Sequence, residues 1–166
     1  EDYTNRGRII TPLKDRLGSQ IRTHYPRSLD HEVLIMEQEQ LRFPDEDGIP
    51  QVLVPSFVSE LLAELTHLAR RAPEISQRSG VSVRVSVANL EVLRAAALKR
   101  AVRLGEPAGA PRVSDLGAVL ASTAGKIELE SVGEEAPEER IVERLITKSV
   151  YATFNRRLSV DNLDEV

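Results

Sequence analysis

Two arginines stand where this chain could bind an anion. Arg16 lies at the end of Thr11-Pro12-Leu13-Lys14-Asp15-Arg16-Leu17-Gly18, where Thr11 suits an N-cap, Pro12 the first helical position and Gly18 the stop. The glycine lets the chain turn away and leaves the guanidinium open to a ligand. Arg84 sits in Gly80-Val81-Ser82-Val83-Arg84-Val85-Ser86, just ahead of a helix that Ser86 can cap, so it projects near that helix's positive end. A planar cation beside helix N–H groups favours a phosphate or carboxylate. The plain alternatives are a surface ion pair for Arg16 and a solvated loop arginine for Arg84.

Other chemistries find less support. His24, His31 and His67 are far apart, none in an H-x-x-x-H or comparable pair, so no metal ligands are assigned, and His67 is expected on the polar side of its helix. The lack of cysteine removes thiolate sites and disulfides. No G-x-S-x-G elbow supports a Ser-His-Asp arrangement. Gly125-Lys126 resembles the end of a phosphate-binding loop, but Leu120 stands where its first glycine belongs and Ile127 where its hydroxyl belongs. Aliphatic strands ending in an acidic pair are missing as well, so this polypeptide alone is not expected to hydrolyse a nucleotide.

The elements that position these residues can be read along the chain. Arg8-Ile9-Ile10 suits extended backbone, Thr11 to Arg16 a short helix, and Ser19 to His24 a short strand closed by Tyr25-Pro26. From Ser28 the pattern turns helical, with Val33 to Met36 in a polar frame that ends near Leu41. Asp45 to Pro50 reads as a loop. Pro55 opens an amphipathic helix with Phe57, Leu61, Leu65 and Leu68 on one stripe and Val58, Leu62 and Ala69 beside it. After a break from Pro73 to Gly80, the helix capped by Ser86 carries Leu90, Leu93, Ala97 and Ala101 on one face and stops at Gly105 and Pro107. Ser114-Asp115 starts another helix, to about Ala124. Residues 125–139 hold six glutamates, two glycines and a proline, and read as a solvated acidic linker or turn. A last helix, from about Pro137 to Arg157, turns Ile141, Leu145, Val150, Tyr151 and Phe154 toward a partner surface.

Composition narrows the class. With 166 residues, 41% of them hydrophobic, the chain can bury one core, which excludes a disordered tail or a fibre. The formal charge is −4, but residues 1–27 carry six basic residues against three acids. The net negative charge speaks against a generic nucleic-acid coat, and a DNA-binding regulator would rest on the helices and the basic first segment alone. No apolar run approaches the roughly 20 residues of a membrane span, and a cytoplasmic location is the expectation. The sequence opens Glu1-Asp2-Tyr3-Thr4 without methionine and reads as a fragment.

The segment from Glu1 to Gly18, followed by Ile21-Arg22-Thr23-His24-Tyr25-Pro26, resembles the AAA+ ATPases of the magnesium chelatase and MoxR group. In that family the stretch follows the sensor 1 strand and leads to a Leu-Asp-Arg-Phe box bearing the arginine finger; here Lys14-Asp15-Arg16-Leu17 keeps the Asp-Arg core. Gly80-Val81-Ser82-Val83-Arg84 matches the Gly-x-Ser-x-Arg segment that carries the sensor 2 arginine in the family's helical lid. The resemblance covers most of residues 1–104 and weakens after about 110.

It implies a mainly α chain: residues 1–27 as a short α/β segment ending an AAA+ core, 28–124 as the helical lid bundle, 125–139 as the linker and 140–166 as a final helix and tail. It implies ATP and Mg as cofactors of the full-length parent, whose Walker motifs would lie upstream. Arg84 would contact the phosphates bound by its own subunit, and Arg16 would act in trans on a neighbour's nucleotide in a ring, expected to be a hexamer. Partners would be chelatase subunits, with Mg insertion into a porphyrin as the task, or the clients of a MoxR-type chaperone. A non-enzymatic helical interaction domain is the alternative of another class.

Overall fold

The computed structural model describes residues 15–19, 21–41, 48–130 and 137–158, and over these the chain is mainly helical. Helix α1 spans Leu29–Glu39; the Ser28 hydroxyl accepts the His31 N–H at 3.3 Å, and Asp30 and Glu32 place negative charge in the first turn. Strand β1, Gln51–Val52, leads into α2, Ser56–Arg71, which has Pro55 at its cap and Arg70 and Arg71 in its last turn. Helix α3, Val83–Leu104, starts at Ser82 and ends at Gly105, whose left-handed φ of 65° lets the Glu106 N–H return to the Ala101 carbonyl at 3.0 Å. Strand β2, Ala108–Gly109, precedes a 3-10 stretch at Val113–Ala118, the short helix α4 at Val119–Thr123, a second 3-10 turn at Ala124–Lys126, and α5 at Glu138–Arg157.

Helix α2 is central because its apolar residues cover more than one side. It packs on α1, α3 and most extensively α5, while α1 also meets α3, and α4 contacts both α3 and α5. Met36, Leu62, Leu65, Ile75, Leu90, Leu93, Val119 and Val142 come from all of these parts and are almost completely buried. Each such aliphatic side chain contributes about 1.5 to 3 kcal/mol relative to exposure. The two strands pair in parallel, Gln51 opposite Ala108 and Val52 opposite Gly109. The pairing needs a glycine at 109, where a Cβ would lie 2.9 Å from the Ala97 carbonyl oxygen and 3.1 Å from the Ala101 Cβ.

The structure revises four sequence expectations. Residues 21–26 form no strand, and Ile21 is 86% exposed: among the described residues nothing pairs with this segment, and a lone strand has no stability of its own. Ser82, not Ser86, caps α3, so the helix begins one turn earlier and Ser86 is buried inside it. The stretch 113–126 is not one helix but a 3-10, α, 3-10 succession. Asp115 fixes its start by accepting the Arg112 N–H at 2.8 Å and two Arg100 bonds at 2.5 and 2.6 Å. Finally, the first part of the acidic stretch is bound down rather than solvated. Ile127 is buried, Leu129 bridges Ile75, and the Ser76 N–H reaches the Glu128 carbonyl at 2.7 Å; the two aliphatic residues outweigh the glutamates, which face outward. Asp15 and Arg16 are helical, whereas the expected extended run at 8–10, the start of the short helix, and residues 131–136 and 159–166 lie outside the described residues.

Candidate functional site at the start of helix α3

On α2 the row Val58, Leu62, Thr66 recurs every four residues, and all three side chains are buried; Arg70 is the next member. An arginine carried inward needs a carboxylate, and α1 supplies one. Glu32 and Met36 share that helix's inner row, and both are completely buried. Arg70 grips Glu32 in a fork, Nη1 to Oε2 at 2.6 Å and Nη2 to Oε1 at 2.8 Å, and its Nε donates to the Val81 carbonyl at 2.9 Å. Ser86 Oγ donates to Glu32 Oε1 at 2.5 Å and lies 2.8 Å from Thr66 Oγ1, while His67 Nε2 approaches Glu32 Oε2 to 3.2 Å. A buried carboxylate is costly unless paired and hydrogen-bonded, and here both oxygens are engaged.

Tyr25 closes this cluster from outside. Its ring lies over the Arg70 guanidinium, 4.5 Å from centroid to Cζ. Its hydroxyl occupies the place of a Gly80 side chain: a Cβ there would fall 2.1 Å from the oxygen, and Gly80 has φ of 65°. The turn between α2 and α3 is thus held at Gly80 by Tyr25, at the Val81 carbonyl by Arg70, and at Ser82 by the cap that accepts the Arg84 N–H at 3.2 Å.

Arg84 rises from this fixed turn. It is exposed in the first turn of α3, inside the helix rather than ahead of it as the sequence suggested, and among the described residues no carboxylate pairs with it. Five guanidinium donors beside the helix's positive end fit an oxyanion. Arg16 is also exposed, at the end of its helical turn, and no described contact joins it to Arg84. The cluster beneath Arg84 was missed from sequence. The signal available was polar residues interrupting apolar rows: Arg70 after Leu62 and Thr66, and Ser86 before Leu90 and Leu93. His67 is corrected by the same geometry, since it leans against Glu32 with 13% of its side chain exposed instead of facing solvent.

No protein-family model matches the chain, and comparison with curated proteins and with solved structures yields no match either.

Two pockets lie elsewhere. An apolar groove of about 420 Å³ between α2 and α5 is lined by Phe57, Leu61, Val113, Val150, Phe154 and Leu158 among others. A more polar one of about 540 Å³ includes Glu37, Gln40, Ser56 and Arg94. Among the described residues, no three His, Asp or Glu side chains gather as a metal site, and no helix is long and apolar enough to cross a membrane. The resolved pKa shifts also fall away from Arg84: hydrogen bonds from Arg157 hold the Glu60 carboxyl below its ordinary range, and a bond from its own backbone, aided by Arg144, lowers that of Glu74.

Proposed function

We propose that this chain is the C-terminal part of an AAA+ ATPase of the magnesium chelatase and MoxR type, comprising the end of the nucleotide-binding core and the helical lid. The observation that carries this reading is the placement of Arg84, an exposed guanidinium in the first turn of a 22-residue helix, on a turn braced by a buried ion pair. In this reading Arg84 contacts the phosphates of ATP held by its own subunit, so that lid position follows nucleotide state. Arg16, exposed at the end of a helical turn, reaches the ATP of the next subunit in a ring. Bound ATP and Mg, held mainly by the upstream core, supply the phosphoryl group and part of its charge neutralisation. The two arginines add fixed positive charge where negative charge develops, and a finger of this kind is worth about 10³ to 10⁵ in rate. A trans finger makes turnover depend on ring closure, through a heterologous interface. The output is remodelling of a partner in the cytoplasm: a chelatase assembly inserting Mg into a porphyrin, or a protein matured by a MoxR-type chaperone.

The test is ATP turnover by the full-length parent. Arg16→Ala is expected to abolish turnover while sparing ATP binding, and to suppress wild-type subunits when mixed with them; Arg84→Ala is expected to weaken nucleotide binding. Wild-type turnover in both variants, or no hydrolysis by the parent, overturns the reading. Either result would favour a helical interaction domain, whose supporting observation is the apolar groove beside the exposed Tyr151 and Phe154.

A further inference from the structure

We infer that Tyr25 is a positioning residue for Arg84, coupling the chain that enters the helical bundle to the turn from which α3 starts; this rests on the reading of Arg84 as a phosphate contact. Tyr25 belongs to the irregular segment 21–26 between the helical turn of Arg16 and α1, with no strand or helix of its own to hold it. Its two contacts in the bundle are the face of Arg70, at 4.5 Å, and the backbone of Gly80. Arg70 is pinned on its other edge by Glu32, which Ser86 also holds, so the guanidinium cannot follow a moving Tyr25. Arg70 also bonds the Val81 carbonyl, so Tyr25, Arg70 and the turn form one braced unit. The Gly80 N–H bond to the Ser76 carbonyl, the Arg70 bond to the Val81 carbonyl and the Ser82 cap lie in series along it, and Arg84 comes two residues after the cap. Removing Tyr25 therefore takes away one side of the brace at the base of Arg84. In the ring proposed above, the same segment follows Arg16, so a neighbour's hold on Arg16 and the lid's hold on phosphate share one link.

The decisive measurement is amide hydrogen exchange in the full chain, read at Gly80, Arg84 and Val85, whose N–H groups bond within the turn and cap. Tyr25→Leu keeps apolar bulk but loses the π face and the hydroxyl, while Tyr25→Phe keeps the ring. Loss of a ring over a guanidinium is expected to speed exchange at these three amides by about fivefold in Tyr25→Leu, with a smaller rise in Tyr25→Phe, which keeps the ring on Arg70 but loses the hydroxyl at Gly80, and with Leu65 and Leu145 unchanged. Rates in Tyr25→Leu within about twofold of wild type, or a uniform rise at all amides, overturn the coupling. In the full-length parent, Tyr25→Leu is expected to raise KM for ATP several-fold with little change in kcat, and Tyr25→Phe to raise it less; an unchanged KM in Tyr25→Leu overturns the functional link even if exchange rises. If Arg84→Ala leaves ATP binding and turnover intact, the phosphate role of Arg84 fails and the role of Tyr25 toward nucleotide fails with it, whereas the bracing of Gly80 is judged by exchange alone.

Discussion

Arg70 holds both carboxylate oxygens of Glu32, at 2.6 and 2.8 Å, across 38 residues of sequence, and Glu32 has no exposed surface. Removing the guanidinium leaves the buried carboxylate with only the Ser86 hydroxyl and the nearby His67. Arg70→Met is expected to cost about 3 to 5 kcal/mol in urea unfolding, a large share of a typical total of about 5 to 15. Pairing it with Glu32→Leu removes both charges and should recover most of that loss. A single-variant cost below about 1 kcal/mol would mean that water or another cation replaces the guanidinium.

Gly109 and Gly105 separate steric from conformational demands on glycine. At 109 the obstruction is the Ala97 carbonyl, part of the α3 backbone, which cannot retreat without disturbing its own helix. Gly109→Ala is therefore expected to destabilise by about 1 to 3 kcal/mol through overpacking and to loosen the β1–β2 pairing. At 105 nothing lies within 4 Å, and only the left-handed φ opposes a side chain. Gly105→Ala should cost about 1 kcal/mol, and Gly105→Asn less, because asparagine tolerates that region. Thermal melts of the three variants check the order.

How much of this was legible in the sequence depends on whether one residue or several decide the outcome. Helix α2 followed from the stripe Phe57, Leu61, Leu65, Leu68, and α5 from Pro137 onward, since local periodicity and a starting proline suffice. The start of α3 did not follow, because Ser82 and Ser86 are both competent caps; what excludes Ser86 is Glu32, 54 residues away, which claims its hydroxyl. Likewise Tyr25 looked like the end of a strand, and His67 like a surface residue, until α1 brought Glu32 between α2 and α3. Arg84 and Arg16 were legible as exposed arginines near helix ends, but the brace under Arg84 is tertiary and was not.

The contact of α5 with α2 and with the turn that follows α2 carries a pH dependence. Arg157 bonds Glu60 and lowers its pKa, Arg156 pairs with Glu64, and Arg144 pairs with Glu74, whose pKa is also lowered. A carboxyl with a depressed folded pKa contributes stability that is complete above the unfolded value and drains away as pH falls through the folded one. Stability should thus decline on acidification below the ordinary glutamate range, and Arg157→Gln should flatten that decline by removing the principal cause at Glu60. Solvent reaches these pairs, so the effect is expected to be small and to shrink in high salt. Urea unfolding between neutral pH and the acid side, at low and high salt, measures it.

Helix α4 has five residues, too few to persist without tertiary support. Its support is Asn89, buried on α3, whose Oδ1 accepts Ser122 Oγ at 2.6 Å and Thr123 Oγ1 at 3.1 Å. Both hydroxyls belong to the last turn of α4, and both lie where water does not replace a lost partner. Ser122 retains a bond to the Val119 carbonyl if Asn89 is removed, so Thr123 would suffer more. Asn89→Ala is expected to cost about 1 to 3 kcal/mol, the penalty of a buried group left unsatisfied plus the space vacated. Because α4 leads directly to Ile127 and the strand-like contact with Ile75, amide exchange from 119 to 129 should rise more than in α2 or α5. Asn89→Leu keeps the volume without the acceptor and separates the two causes: if it speeds exchange in α4 as much as Asn89→Ala does, the hydrogen bonds and not the volume of the side chain hold that helix in place.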